Sequence, residues 1–331
     1  MPTVVDHARR TVLAAVSLAV PGLLLGIRPA RAQSFPDRPV RIVVPFPPGG
    51  AVDALARVTA ESLTQKWKQN VIVENRPGGN QIIGTQSIAA AAPDGLALLL
   101  ATTGHAVNAT LIEKLPYDPV KDFTAVALSA TAPNILVVNP AVPADTLKEF
   151  IDYARSNPGK LNASHPGTGT TLHLGLEILK AATKTDFTIV GYKGTAPALN
   201  AVLAGEVDFM FDVTAAVPHV KAGKLKALAV TSSTRASLLP EVPTLAEAGL
   251  PDVEIFSWYA YLAPAGTPPA ILAQLNRDIA EALGSPSVQG RLVGYGLEPA
   301  KRMGPKEVDD FIRQEIDRWA KVLKDAGVKG P

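Results

Sequence analysis

One glycine- and hydroxyl-rich run, Ser164-His165-Pro166-Gly167-Thr168-Gly169-Thr170-Thr171, stands immediately before a predicted helix. Glycines let a ligand approach the backbone closely, and hydroxyls add hydrogen-bond donors beside the free N–H groups of the helix N-terminus. This combination is suited to binding a small anion. The structural alternative is that Thr170 or Thr171 only caps the helix.

Other chemistries are excluded by what this run and the rest of the chain lack. The run has no Gly-Lys-Ser/Thr ending of a P-loop, and Leu172 occupies the place of the third glycine in a G-x-G-x-x-G fingerprint. The chain has no G-x-S-x-G nucleophile elbow and no cysteine. His105, His165 and His173 lack metal-ligand spacing. We therefore expect a binding protein rather than an enzyme, with no metal and no cofactor.

Five loops are expected at the carboxyl ends of strands, where open parallel sheets bind their ligands. All contain Gly and most carry Ser, Thr or Asn; they are 46–53, 77–85, 102–108, 164–171 and 192–195. Asp212 ends a predicted strand, and it would either accept a hydrogen bond from a ligand or tie down a loop. Lys193 would either pair with a carboxylate or remain solvated. A histidine in these loops would contact the ligand or have a local structural role.

The elements that position these loops alternate along the chain. Strands are expected at 40–44, 71–74, 96–102, 134–139, 161–164, 187–192, 207–212, 225–231 and 253–264, and helices at 52–67, up to about 91, 147–157, 172–182, 197–203, 268–283 and 305–326. Short strand–loop–helix–strand connections predict βαβ units and parallel sheets. Segments 123–138 and 253–264 are expected to connect two α/β lobes. Lobe 1 would comprise 33–132 and 258–331, and lobe 2 would comprise 133–257.

The N-terminus has the pattern of a secretory signal peptide. Arg9 and Arg10 precede an apolar run to residue 26, and an Ala-Arg-Ala pattern predicts cleavage after Ala32. Both Sec and twin-arginine export fit this pattern. A membrane anchor is the alternative, but the run is shorter than the ~20 residues that span a bilayer. Without residues 1–32 the chain has 28 Lys and Arg against 29 Asp and Glu, a formal net charge of −1. A nucleic-acid partner is not expected, and an anion must be attracted by local dipoles.

Further motifs, in this order along the chain, make a resemblance specific. They are Phe35-Pro36, Pro39-Val40-Arg41-Ile42-Val43-Val44-Pro45-Phe46, Gly49-Gly50 with Asp53 and Ala56-Arg57, Val73-Glu74-Asn75-Arg76-Pro77-Gly78, Pro93-Asp94-Gly95, Leu115-Pro116-Tyr117-Asp118 with Lys121-Asp122-Phe123, Asn157-Pro158-Gly159-Lys160-Leu161, Tyr192-Lys193-Gly194, Gly223-Lys224-Leu225-Lys226-Ala227-Leu228-Ala229-Val230-Thr231 and Ala263-Pro264-Ala265-Gly266-Thr267-Pro268. Nearly all of the chain after residue 32 resembles the Bug-type (Bordetella uptake gene) solute receptors of tripartite tricarboxylate transporters.

This resemblance implies a type II periplasmic-binding-protein-like α/β fold, with two βαβ lobes and a ligand cleft between them. It implies a periplasmic monomer that binds a small carboxylate, a dicarboxylate or an aromatic acid, partly through water, and delivers it to membrane permease subunits. The ligand-binding residues it implies are Phe46, Gly49, Gly50, Ala51, Thr102, Thr103, His105, Ser164, Gly167, Thr168, Gly169, Thr170, Thr171, Tyr192, Lys193 and Asp212. A ligand sensor that feeds a membrane signalling partner is the alternative function.

Two departures from the family's usual sequence lie at the presumed cleft. After Asn-Arg-Pro the family usually reads Gly-Ala-Gly-Gly-Asn, whereas this chain has Gly78-Gly79-Asn80-Gln81-Ile82. Gly191 stands where the family usually has proline before Tyr-Lys-Gly. Ligand size and polarity are therefore expected to differ from those of other family members. Phe46, Tyr192 and Trp258 would favour a flat ligand if all three lined the cleft.

Overall fold

The computed structural model describes residues 35–251, 253, 255–325, 327 and 328. The predicted signal peptide and its cleavage site after Ala32 lie outside these residues. The strands are β1 (Val40–Val44), β2 (Val71–Asn75), β3 (Ala97–Thr102), β4 (Phe123–Pro133), β5 (Ile135–Val138), β6 (Asn162–His165), β7 (Thr188–Gly191), β8 (Phe209–Asp212), β9 (Lys226–Val230), β10 (Phe256–Pro264) and β11 (Glu298–Pro299). The helices are α1 (Ala51–Trp67), α2 (Ile82–Ala89), α3 (Thr103–Leu111), α4 (Leu147–Ser156), α5 (Thr171–Thr183), α6 (Thr195–Ala204), α7 (Val217–Lys221), α8 (Pro269–Gly284), α9 (Pro286–Gly294) and α10 (Pro305–Asp325).

The strands form two sheets. The six-stranded sheet has the order β11-β4-β10-β3-β1-β2, and the five-stranded sheet has the order β7-β6-β8-β5-β9. Within the first, β1 pairs parallel with β2 and β3; within the second, β6 pairs parallel with β7 and β8. These are the predicted βαβ units, because a helix follows each of β1, β2, β6 and β7.

Neither sheet is purely parallel, which corrects the expectation from the sequence. Strand β10 pairs antiparallel with both β3 and β4, and β5 pairs antiparallel with both β8 and β9. The physical reason is the route of the chain. Both strands follow directly from the other sheet, without the helical crossover that brings a chain back to the same end of a sheet.

Two segments connect the sheets, and Thr231 forms hydrogen bonds between them. Only Asn134 separates β4 from β5, and residues 231–255 lead from β9 back to β10. Asn134 and Thr231 exchange two hydrogen bonds: Thr231 N donates to Asn134 O (2.9 Å), and Asn134 N donates to the side-chain Oγ1 of Thr231 (2.9 Å). The Thr231 hydroxyl donates in turn to Ile255 O. The lobe boundaries given above stay a prediction.

The core explains why these segments form these elements. All six residues of β3 are buried, as expected of a strand covered on both faces. Helix α10 has one buried face, with Val308, Ile312, Trp319 and Leu323 at helical spacing. No helix in the described residues is both long and apolar enough to cross a membrane.

Three local expectations need correction. The 102–108 segment is mostly helix rather than loop, because Thr102 accepts a hydrogen bond from Gly104 N and caps α3. Gly284 is the last residue of α8 rather than the residue after it. Helix α9, which the sequence analysis did not predict, follows directly with Pro286 in its first turn and the Ser285 hydroxyl as its cap.

Candidate functional site

A cavity of about 200 Å³ lies where strands of both sheets end and their helices begin. Its lining residues come from β1–α1, β2–α2, β3–α3, β6–α5, the segments around α6 and β8, and β10. They are Phe46, Val52, Gln81, Thr102, Thr103, Gly104, Pro166, Thr170, Thr171, Leu172, Thr195, Val213, Ser257 and Tyr259. Phe46, Thr102, Thr103, Thr170 and Thr171 were predicted from the sequence, and the cavity brings all five together.

The loop that carries Phe46 is held by Asp53 in the first turn of α1. The Asp53 carboxylate accepts hydrogen bonds from Gly49 N, Arg57 Nε and Asn75 Nδ2, each at 2.9 Å. Asn75 Nδ2 also donates to Phe46 O (3.1 Å). Burial alone would raise the pKa of Asp53, but the three hydrogen bonds outweigh it and lower that pKa. Asp53 therefore stays ionised and keeps the loop in place.

The N-terminus of α1 is left without a side-chain cap. Gly50 is the N-cap residue, and no side chain accepts from the first backbone N–H groups there. Gly49, Gly50 and Ala51 lie in this loop and first turn and are not among the cavity-lining residues. Gly49 has φ +95°, a conformation that other residues rarely adopt. These free N–H groups beside Phe46 are donors for an anion.

The second sheet contributes the predicted Gly/Thr loop. Thr170 is the N-cap of α5: its hydroxyl accepts from His173 N (3.3 Å) and donates to Gly167 O (2.7 Å). Thr170 therefore caps the helix, as the structural alternative expected, and it also lines the cavity. Thr171 Oγ1 lies 2.7 Å from Ser257 Oγ on β10. Gly167 and Thr168 belong to the same loop but do not line the cavity.

Gly169 brings this loop close to α3 of the first sheet. A Cβ built on Gly169 would overlap the Leu111 side chain and would lie 3.6 Å from Asn80 Nδ2. Gly169 also has φ +77°, so two independent constraints favour glycine here. Its N–H donates to His173 Nδ1 (3.3 Å), which fixes the loop to α5.

The histidines have structural surroundings. His105 is buried outside the cavity lining, with Nε2 bonded to Pro119 O (2.9 Å) and its ring against Tyr117 and Phe123. Burial lowers the pKa of His105 to about 4. His165 and His173 pack with ring centroids 4.3 Å apart. Burial lowers the pKa of both, that of His173 to about 4. All three rings are therefore neutral near pH 7.

Four further predicted residues lie outside the lining. Ser164 is fully buried and its hydroxyl donates to Ala198 O (3.1 Å) on α6. Asp212 Oδ2 accepts a hydrogen bond from Ala216 N (2.7 Å) and so holds the loop after β8 in place. This is the loop-holding role expected for Asp212 as the alternative to ligand binding. Burial raises the pKa of Asp212. Tyr192 is half-buried and Lys193 is exposed.

Strand β10 supplies lining residues that the sequence analysis missed. Ser257 and Tyr259 line the cavity, whereas Trp258 between them is fully buried on the opposite face. Its indole Nε1 donates to Glu315 Oε2 (2.9 Å) on α10. The period-two alternation of a strand places residues 257 and 259 on one face and residue 258 on the other, but it does not say which face meets the cavity. The expected flat surface of Phe46, Tyr192 and Trp258 is therefore wrong for Trp258, and Tyr192 is not among the lining residues.

The lining offers neutral donors. None of the cavity-lining side chains given above carries a formal charge, and burial raises the pKa of Tyr259 to about 12, so its hydroxyl stays protonated. The Thr102 and Thr170 hydroxyls already donate within the protein, so an anion here would be met by other hydroxyls, the Gln81 amide and backbone N–H groups. Among the described residues, no group of three or more His, Asp or Glu side chains is arranged to hold a metal.

Comparison with known proteins identifies the family. Residues 55–328 match the model of the tripartite tricarboxylate transporter family receptor. BugT of Bordetella pertussis is 37% identical over 322 residues, which cover 94% of this chain and 98% of BugT. The solved structure of R. palustris Rpa4515 with adipate is 37% identical, with a TM-score of 0.80, and covers 90% of this chain and 100% of that chain.

A second solved structure agrees. MatC (Rpa3494) from Rhodopseudomonas palustris with bound malate is 36% identical with a TM-score of 0.75, over 87% of this chain and 100% of that chain. The two-lobed periplasmic-binding-protein fold expected from the sequence is thereby confirmed. This chain belongs to the tripartite tricarboxylate transporter receptor family, whose Bug-type members are solute-binding receptors.

Proposed function

We propose that this protein is a periplasmic receptor that captures a small carboxylate in the cavity described above and delivers it to the membrane permease of a tripartite tricarboxylate-type transporter. The observation that carries the proposal is the lining of the cavity. Hydroxyls and helix N-termini from both sheets converge on a space without a charged side chain among its lining residues. Such a site favours one or two carboxylate groups over a cation.

Cavity size supports a small ligand. About 200 Å³ is below the 300–1,000 Å³ typical of drug-sized ligands and suits a molecule of roughly ten heavy atoms. The relatives bound to adipate and malate are of this class. Each hydrogen bond to a charged ligand group contributes about 1.5–3 kcal/mol. A few such bonds suffice for micromolar affinity.

Ligand capture involves closure of two lobes. The lobes are those predicted from the sequence, 33–132 with 258–331 and 133–257, and the connections at Asn134 and Thr231 are the hinge. The contact of Gly169 with Leu111 and the Thr171–Ser257 hydrogen bond stabilise the closed arrangement. The permease recognises that closed shape and releases the ligand by favouring the open one.

A thermal-shift screen of the purified protein against aliphatic and aromatic mono-, di- and tricarboxylates tests this function. An acid at ~100 times its Kd adds about 2.7 kcal/mol to the free energy of unfolding, which raises Tm by a few degrees for a chain of this size. Thr170→Ala with Thr171→Ala should abolish the shift. No shift from any acid, in folded protein free of copurified ligand, would contradict the proposal.

Export and oligomeric state are part of the same proposal. A periplasmic receptor should be found after cleavage of residues 1–32, so the mass of protein recovered from the periplasm should correspond to a chain that begins at Gln33. Retention of the N-terminal segment would favour the anchor alternative. We propose that the receptor acts as a monomer, which light scattering of the purified protein checks.

A further inference from the structure

The loop between β2 and α2 holds two residues in the left-handed region that favours glycine. Asn80 has φ +54° and Gln81 has φ +76°. Such a conformation is energetically unfavourable for residues with a Cβ, and it persists only where surrounding contacts hold it. Strained residues of this kind cluster at functional sites, so the contacts of each side chain are informative.

Asn80 is explained by its structural contacts. Its Nδ2 donates to Asn108 Oδ1 (3.0 Å), and Asn108 Nδ2 donates to Asn80 O (2.7 Å). These two bonds join the loop to α3. Asparagine also tolerates the left-handed region better than most residues. Asn80 therefore anchors the loop and needs no ligand-binding role.

Gln81 has no comparable structural role for its side chain. It is the N-cap residue of α2, yet its side chain makes no capping hydrogen bond. The side chain instead enters the cavity, where Oε1 accepts from Thr102 Oγ1 (2.9 Å). The Thr102 hydroxyl therefore uses its one hydrogen toward Gln81 Oε1, while its oxygen accepts from Gly104 N (3.3 Å). This bond directs both hydrogens of Gln81 Nε2 away from Thr102.

Gly104 makes room for this amide. A Cβ added to Gly104 would overlap the Gln81 side-chain amide, with Nε2 as the nearest atom. Gly104 has no need of a positive φ, since its conformation is outside the left-handed region. Glycine at position 104 is therefore explained by the space that the Gln81 amide occupies, and not by the backbone conformation.

The Gln81 amide lies at a different point along the cavity from the Thr171 hydroxyl. Thr171 bonds to Ser257 on β10, whereas Gln81 bonds to Thr102, which is the register partner of Tyr259 on the same strand. The cavity thus has polar groups beside two different residues of β10, with Phe46 and other apolar residues also in its lining.

We propose that Gln81 is the specificity-determining residue for a second polar group of the ligand. This inference rests on the proposed function. The first carboxylate binds at the N-termini of α1 and α5, and Gln81 Nε2 donates to an oxygen of the second group. The receptor should therefore prefer dicarboxylates to monocarboxylates of the same length.

Calorimetric titration with matched acids tests this proposal. Adipate is compared with hexanoate, and terephthalate with 4-methylbenzoate, since each pair differs only in the second carboxylate. Gln81→Gly removes the amide and also relieves the strained backbone, so it should fold. Gln81→Glu replaces the donor with a negative charge. Gln86→Glu, at an exposed position on the same helix, is the control for charge.

The proposal predicts that wild-type protein binds a diacid more tightly than its monoacid. Gln81→Gly should lower the affinity for the diacid about 10- to 100-fold and change the affinity for the monoacid less than about threefold. Gln81→Glu should lower the affinity for the diacid further, whereas Gln86→Glu should leave that affinity unchanged from wild type. Gly104→Ala displaces the Gln81 amide, so it should lower the affinity of otherwise wild-type protein for the diacid. In the Gln81→Gly variant the same substitution should cause little further loss of affinity.

Two results would overturn the proposal in distinguishable ways. If wild type binds an acid and Gln81→Gly binds the diacid equally well, the role of Gln81 is wrong while the receptor function stands. If folded wild-type protein binds none of the acids, the proposed function itself fails.

Discussion

Thr171 Oγ1 and Ser257 Oγ lie 2.7 Å apart, and their hydrogen bond joins the first residue of α5 to the second residue of β10. Helix α5 follows a strand of the five-stranded sheet, whereas β10 belongs to the six-stranded sheet. Both hydroxyls line the cavity. The bond therefore links the two halves of the protein at the point where we propose that the ligand binds.

Removal of either hydroxyl should weaken ligand binding. Thr171→Val or Ser257→Ala breaks the bond between α5 and β10 and leaves the other hydroxyl without its partner, so we expect about a tenfold loss of affinity for an acid identified in the screen. Titration calorimetry measures this. Thr188→Val, at the exposed first residue of β7, makes the same substitution away from the cavity and should have no effect. Equal affinities for Thr171→Val and wild type would contradict the prediction.

The contact between Gly169 and Leu111 should make Gly169→Ala more harmful than an ordinary glycine substitution. Gly223 has a similar φ (+68°) but no atom within 4 Å of an added Cβ, so Gly223→Ala carries only the backbone strain, about 1–2 kcal/mol. Gly169→Ala should lower the free energy of unfolding by a further 1–3 kcal/mol or so and also weaken ligand binding. Urea unfolding of both variants gives the difference.

Leu111→Ala provides the internal test of that contact. It removes the side-chain atoms that a Cβ at Gly169 would overlap, so the double variant should be less destabilised than the sum of the single variants. Strictly additive effects would show that the two residues do not interact.

Glu315 should be needed to keep β10 in place. Its Oε2 accepts from Trp258 Nε1 (2.9 Å) and Trp319 Nε1 (3.1 Å), and its carboxylate pairs with Arg318 (2.8 Å). Glu315→Leu leaves two buried indole donors unpaired and should lower the free energy of unfolding by about 2–4 kcal/mol. Glu315→Gln retains an acceptor and should cost less. Equal unfolding midpoints for the two variants would argue against this role.

Acidification should destabilise the protein through His105. Burial lowers the folded-state pKa of His105 to about 4, below the 6.5 of an exposed imidazole, so the unfolded state takes up a proton first as the pH falls. The contribution of neutral His105 to the free energy of unfolding is fully present above pH 6.5. That contribution falls by about 1.4 kcal/mol per pH unit between pH 6.5 and pH 4. His173 contributes in the same direction.

His105→Phe isolates the contribution of His105 to this pH dependence. Phenylalanine keeps a ring against Tyr117 and Phe123 but takes up no proton. Urea unfolding at several values between pH 7 and pH 5 should show a shallower loss of stability for this variant than for wild type. Parallel curves would show that His105 does not carry the effect.

Local signals predicted much of the fold. The helix expected at 147–157 is α4, and it begins at a capping box of Thr146 and Glu149, both of whose hydrogen bonds are present. Thr170 caps α5 as the Gly/Thr run suggested. These predictions succeeded because capping and strand burial depend on residues close together in the sequence.

The site residues that the sequence analysis missed depend on distant parts of the chain. Ser257 and Tyr259 face the cavity because β10 enters the first sheet antiparallel to Thr102 and its neighbours, which no local pattern specifies. Gln81 enters the cavity because its backbone adopts a positive φ, which is not expected of glutamine. His105, in turn, lies near the site in sequence but points into the core.

The most direct test of the account is a calorimetric titration of the purified protein with adipate, terephthalate and their monoacid counterparts. We predict one binding site per chain, micromolar or tighter affinity for at least one diacid and weaker binding of its monoacid. Absence of binding heat from every acid, in folded protein shown to be free of copurified ligand, would contradict the account.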